Sequence, residues 1–251
     1  MSSIGRTTTL DPETSVAKKP MKYSFSTICS VLSLALVIVG CADSTDDNST
    51  NLRFLNAVVG VGDVDMLVDS DQYLENISYR ESTEYLEFDT QPHIFQITPS
   101  NSLTPIDTER VSLQDDVDYT YIACGNSSDP EAILIEDDNE PAGDGSFKAR
   151  IINVFKGVRG FDVFITTNSA EIGSLLPTVE RLGFKAATRY SAGRSGVYDI
   201  VVRNSATDKV ETIYRGQEFD AESVYSVILV ADERQPSQVD VLVLTDHAAN
   251  Q

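Results

Sequence analysis

Downstream of position 41 the chain offers little raw material for chemistry: His93, His247, a lone Cys124 and a large surplus of carboxylates. His93 follows Pro92 at the head of an apolar run, and His247 stands in the tail HAANQ. Neither has a second His or a Cys at the spacing a zinc site needs, so each reads as a structural or solvated histidine. Cys124 closes the run YTYIAC and reads as a buried small hydrophobe. Gly193-Arg194-Ser195-Gly196 misses the spacing of a G-x-S-x-G nucleophile elbow. Gly60-Val61-Gly62 lacks the third glycine of a dinucleotide loop. Glu84 and Glu87 could share acid–base work in principle. With twenty acidic residues between Asn51 and Glu140, however, such pairs arise by chance. No catalytic residue and no cofactor is expected.

Carboxylates can also hold cations. Three groups stand out: Asp63/Asp65/Asp69/Asp71, Asp115/Asp116/Asp118, and Glu136/Asp137/Asp138/Glu140. Calcium takes six to eight oxygens in a wrapped loop, and none of the three fits the D-x-D-x-D-G pattern. Aspartates at alternate positions of a strand are spread too far apart to share one ion. The third group lies at a linker that could curl around an ion, so Asp137, Asp138 and Asp144 are the best-placed Ca²⁺ candidates. A solvated acidic linker is the stronger reading of the same residues.

The elements that would position these side chains occur twice. Arg53–Val68 (RFLNAVVGVGDVDMLV) and Arg150–Ile165 (RIINVFKGVRGFDVFI) align without a gap at an offset of 97. Arg53/Arg150, Asn56/Asn153, Gly60/Gly157, Val61/Val158 and Asp65/Asp162 are identical. Further on, Tyr79/Phe184 and Tyr85/Tyr190 align at 105, Leu113/Phe219 and Tyr119/Tyr225 at 106, and Asp137/Asp246 at 109. A slowly growing offset is the mark of a tandem duplication with small loop insertions. The copies span 52–140 and 147–247, and the breaker-rich stretch 141–146 links them.

Each copy reads as all-β. Runs rich in Val, Ile, Tyr, Phe and Thr predict strands near 52–59, 64–69, 84–88, 93–98, 107–113, 118–124 and 132–136. Their counterparts fall near 149–156, 161–167, 187–191, 196–203, 209–215, 223–230 and 239–245. Only Ile172–Leu182 leaves room for a short helical turn. Seven or so short strands per hundred residues predict two tandem antiparallel β-sandwiches of immunoglobulin-like type. A hairpin around Gly60–Val61 would set Asn56 opposite Asp65, and Asn153 opposite Asp162. Such a cross-strand bond would contribute about 0.2–1 kcal/mol, a fold-holding role.

The amino-terminal region speaks to location. Lys18, Lys19 and Lys22 precede a fifteen-residue apolar run, Phe25–Val39, too short for a membrane span but suited to a secretory signal. The tail Ile38-Val39-Gly40-Cys41 resembles a bacterial lipobox. That resemblance implies removal of residues 1–40 and acylation, including palmitate, of Cys41 as the new amino terminus. The signal itself reads more naturally from Met21, because Met1–Pro20 carries Asp11 and Glu13. Residues 41–51 would then be a lipidated cysteine on a flexible tether. Ala42 rather than Asp follows the cysteine, which implies the outer membrane, facing either the periplasm or the surface. The chain beyond residue 40 carries 15 basic and 37 acidic side chains. Such a polyanion is repelled by nucleic acid, which is therefore excluded as a partner. The acidity is lopsided: three basic residues face twenty acidic ones in Asn51–Glu140, against twelve and thirteen in Ser146–Gln251.

The Arg-x-x-Asn-Ala start, the Asp of VDMLV and FDVFI, the strand YTYIACG and the ending ILIEDDN together resemble the bacterial domain-of-unknown-function family 4397. The resemblance covers both copies and implies tandem β-sandwiches in secreted or anchored proteins, with no assigned catalytic residues. The second copy departs from the pattern where Leu229-Val230-Ala231 replaces Ala-Cys-Gly. The expected function is a non-catalytic, lipid-anchored envelope protein serving binding, adhesion or structure, with a protein or glycan as its partner. Tyr73, Tyr79 and Tyr85 could stack on a sugar, although core packing suits them better. The alternative is a periplasmic glycan- or Ca²⁺-binding subunit associated with an enzyme.

Overall fold

A computed structural model describes residues 49–167 and 169–249. The signal segment, Cys41 and most of the tether lie outside the described residues. The first copy forms β1 (Ser49–Asn56), β2 (Val64–Val68), β3 (Asp71–Ile77), β4 (Leu86–Asp89), β5 (His93–Pro99), β6 (Asp107–Val111), β7 (Asp118–Asn126) and β8 (Asp129–Asp137). The second forms β9 (Ser146–Asn153), β10 (Phe161–Thr166), β11 (Val179–Leu182), β12 (Ala186–Ala187), β13 (Ser191–Arg194), β14 (Gly196–Asn204), β15 (Val210–Phe219), β16 (Val224–Ala231) and β17 (Val239–His247). One 3-10 turn, Ser169–Ser174, follows β10.

Each copy is a sandwich of two sheets. In the first, β4-β1-β7-β8 packs against β3-β2-β5-β6; in the second, β12-β9-β16-β17, with β13 also on β9, packs against β11-β10-β14-β15. All pairings are antiparallel except β1 with β7 and β9 with β16, which run parallel. The hairpin expected around Gly60–Val61 does not form, because β1 and β2 lie in different sheets. Residues 57–63 carry the chain from one layer to the other, so Asn56 and Asp65 never face each other.

Three apolar clusters show how the layers stack. One fills the first sandwich and includes Leu52, Phe54, Met66, Phe95 and Tyr121. A second fills the other sandwich around Phe147, Ile151, Phe161, Val227 and Phe219. The third draws on both copies: Leu55, Ala57, Ile122 and Cys124 meet Ile152, Val154, Ile228 and Val230. The sheets containing β1 and β9 are therefore inner layers, covered on both faces. Alternation explains the split. On β1, Leu52 and Phe54 point into the first sandwich, while Arg53 and Leu55, with Ala57 just beyond the strand, point toward the second copy. Strands buried on both faces read as unbroken apolar runs, and β16 (VYSVILVA) is buried at every position.

Candidate functional site

The seam between the two inner sheets holds the densest set of buried charges. Arg53 on β1 donates to Asp246 on β17 at 2.6 Å, with both side chains almost wholly buried. Arg150 on β9, the repeat counterpart of Arg53, donates to Asp137 on β8, the counterpart of Asp246. Two hydroxyls link the pairs. Ser226 accepts from Arg150 Nε at 2.8 Å and donates to Asp246 at 2.7 Å. Thr120 accepts from Arg53 at 2.9 Å and donates to Asp137 at 2.6 Å. The six side chains thus form a closed, electrically neutral ring. Tyr85 and Tyr190 close it from the two ends. Each lies about 5 Å from the guanidinium of its own copy, 5.0 Å for Arg53 and 4.8 Å for Arg150. Tyr85 donates to Asp137 at 2.6 Å and Tyr190 to Asp246 at 2.8 Å. Burial, the largest cause, pushes both phenols well above their ordinary range. Burial works against the Arg53 charge, but Asp246, Tyr85 and Asp137 together raise its pKa.

A second reciprocal set ties the other end of the seam. Arg80 reaches Asp240 at 2.6 Å, and its counterpart Lys185 reaches Glu131, the counterpart of Asp240, at 3.2 Å. Both cations stand at left-handed backbone positions, φ 68° and 59°. Asn56 and Asn153 hold those loops in place. Asn56 donates to Ile77 O at 2.9 Å and accepts from Val58 N; Asn153 donates to Leu182 O at 3.0 Å and accepts from Phe155 N. Their backbone carbonyl oxygens receive the N–H groups of Arg80 and Lys185. Lys156 adds pairs to Asp129 and Glu131.

The repeated aspartates work elsewhere. Asp65 accepts from Asn76 N at 2.8 Å and Asp162 from Arg181 N at 3.0 Å. Asn76 and Arg181 have left-handed φ values of 56° and 53°, so each carboxylate anchors an irregular turn of the neighbouring strand. Asp162 also holds Arg203 at 2.8 Å.

The Ca²⁺ candidates do not converge. Asp137 is spent on Arg150, Thr120 and Tyr85; Asp138 pairs with Lys148 at 2.7 Å; Asp144 is exposed. His93 has both ring nitrogens on carboxylates, Nδ1 at 2.7 Å from Asp69 and Nε2 at 3.1 Å from Asp89. Cys124 is buried in the seam, and burial raises its thiol to about 12, too high for a nucleophile at neutral pH. Of the three tyrosines, only Tyr73 is appreciably exposed; the Tyr79 hydroxyl bonds Ala231 O across the seam at 2.8 Å.

Above each end of the ring lies a cleft. One, about 230 Å³, is lined by Arg53, Thr83, Glu84, Tyr85, Thr245 and His247. The other, about 420 Å³, is lined by Arg150, Thr188, Arg189, Tyr190, Glu136 and Asp138. Equivalent positions form both: the floors are kept, and the rims have diverged from Glu84 to Arg189. Charges paired in this way across a buried seam hold the inner layers of the two copies together.

Residues 50–164 match the family described as Domain of unknown function (DUF4397). The match spans the first copy and runs into β10 of the second. No curated protein matches the chain. Among solved structures, a family 26 carbohydrate-binding module from Eubacterium rectale Amy13K, crystallised with maltoheptaose, aligns over 80% of this chain and 98% of its own, at 8% identity and a TM-score of 0.24. An adhesin candidate from Bacteroides ovatus aligns over 80% and 96%, at 12% identity and a TM-score of 0.20. Similarity this low says nothing about a ligand.

Proposed function

We propose that this chain is a non-catalytic, lipid-anchored module of the outer membrane whose two fused sandwiches present a rigid surface for binding or adhesion. The observation that carries this reading is the fate of its ionisable groups. The buried arginines and their aspartates are consumed in the seam, His93 is held between two carboxylates, and Cys124 is buried and inert. Side chains arranged this way give rigidity, the property a binding scaffold needs. The lipobox-like end of the apolar leader supports an anchor at Cys41, and the acidic tether after it would space the sandwiches from the membrane. Two experiments test the reading. Cys41→Ser should move the protein out of the membrane fraction, and wild type should carry acyl mass on its amino terminus. A glycan and peptide array probed with residues 42–251 should return a ligand; an empty array together with a hydrolytic activity would refute the module reading.

A further inference from the structure

The two copies differ at one open edge of each sandwich. In the first copy that edge is plugged: Tyr73 on β3 packs on Phe88 of β4 with ring centroids 4.7 Å apart, and its hydroxyl reaches Glu87 O. Strand register identifies the corresponding positions in the second. Phe88 pairs with Thr50 as Gly193 pairs with Phe147, and Leu74 pairs with Met66 as Val179 pairs with Val163. Tyr73 and Phe88 are therefore replaced by Thr178 and Gly193. No side chain fits at Gly193, since a Cβ there would lie 2.7 Å from the Phe147 ring. The plug is gone, and two adjoining hollows of about 160 and 250 Å³ open in its place. They share Ala149, Ile165, Thr178 and Ser191, so they form one groove with a largely apolar floor.

Both lips of this groove are sheet edges, β13 on one side and β11 on the other. Among the described residues β13 pairs only with β9, so alternate N–H and C=O groups along it face outward, of which the Arg194 carbonyl already accepts from the Tyr198 hydroxyl at 2.8 Å. Exposed arginines flank it: Arg189 and Arg194 at the ends of β13, and Arg181 on β11. None of the three has an ion-pair partner among the described residues, in a chain of net charge −20. Carboxylates also occur around it: Glu180 on β11, Glu136 and Asp138 at the seam end, where Lys148 holds Asp138, and Asp144 and Glu222 near the Arg194 end, where Gly145 O accepts from Ser195 N and Ser146 O from Glu222 N.

We propose that this groove docks an extended, acidic peptide strand, which adds to the edge of β13 and places alternate apolar side chains in the two hollows. The proposal deepens the binding-module reading and rests on it. Strand addition draws affinity from the free backbone groups and specificity from pockets spaced at every second residue, and the unpaired arginines select for negative charge. A sugar is less well served. Phe147 is stacked on Phe219 at 4.3 Å and lies against Gly193, so neither ring face is offered as a platform.

The test is fluorescence anisotropy of a fluorescein-labelled Glu-Val-Asp-Val-Glu-Val peptide on residues 42–251. Wild type should bind this peptide and ignore its Lys-Val analogue. Thr178→Tyr, which rebuilds half of the plug, and Arg189→Glu with Arg194→Glu should each weaken binding about tenfold or more. Unchanged melting temperatures would show that the variants are folded; Ala192→Pro on the edge strand serves as a further variant. No binding by wild type, equal binding by the variants, or binding of oligogalacturonate in place of the peptide would overturn the proposal. An array ligand held equally by wild type and Thr178→Tyr would overturn the groove while leaving the binding-module reading intact.

Discussion

Arg53 and Asp246 are 193 positions apart in the chain and meet at 2.6 Å in the seam, and their repeat counterparts Arg150 and Asp137 meet in the same way. Each arginine finds its carboxylate in the opposite copy, so the interface is isologous, as in a two-fold homodimer. Here the two protomers are one chain.

Truncating one partner of a buried pair leaves an uncompensated charge. Arg53→Ala or Asp246→Ala should each destabilise the chain by about 3–5 kcal/mol, read from urea unfolding. Replacing both together, Arg53→Met with Asp246→Leu, should recover much of that loss. If the double variant is as unstable as the worse single one, packing rather than charge is what the pair supplies.

The duplication and the sandwich architecture are legible in the chain alone, because strand periodicity and turn residues are local signals; the strand count is not, since seven expected runs per copy become eight strands in the first and nine in the second. The seam is harder to read, although its signal is present. Arg53, Tyr85 and Asp137 are matched in the second copy, and RFLNAVV, YTYIAC and VYSVILVA are apolar on both faces. Together they mean strands covered twice, with charges paired between copies. Asp137 looks like a cation ligand in sequence because its linear neighbours are acidic, whereas its spatial neighbour is Arg150. Strand β3 leaves no mark in the apolar pattern because DQYLENI is polar at most positions, as suits an edge strand with one exposed face.

His93 bridges Asp69 and Asp89, and so joins the β2–β3 turn to the end of β4. Burial opposes its charge, yet the two carboxylates raise its pKa above the ordinary histidine value. A raised histidine contributes stability that is complete below its unfolded pKa, about 6.5, and is lost as pH rises through the folded value. The melting temperature of wild type should therefore fall on the alkaline side of about pH 6.5 relative to His93→Gln. Parallel curves for the two proteins would show that the bridge has no energetic weight.

Cys124 should resist maleimide in the native chain and react promptly in urea, since its thiol is buried and its pKa is raised to about 12. Native labelling at the rate of a free thiol would mean that the seam opens readily.

Millimolar Ca²⁺ should shift the melting temperature no more than Mg²⁺ at the same ionic strength, because Asp137 and Asp138 already have Arg150 and Lys148 as partners. A calcium-specific rise that disappears in Asp144→Asn would restore the linker as a cation site.

Through the ring the two copies should unfold as one cooperative structure. Hydrogen exchange of the Arg53→Ala variant, followed by mass spectrometry on peptides from β7 and β16, tests it most directly. Protection should fall by the same factor in both strands, although the substitution lies in the first copy only. A loss confined to β7, with β16 as protected as in wild type, would contradict it.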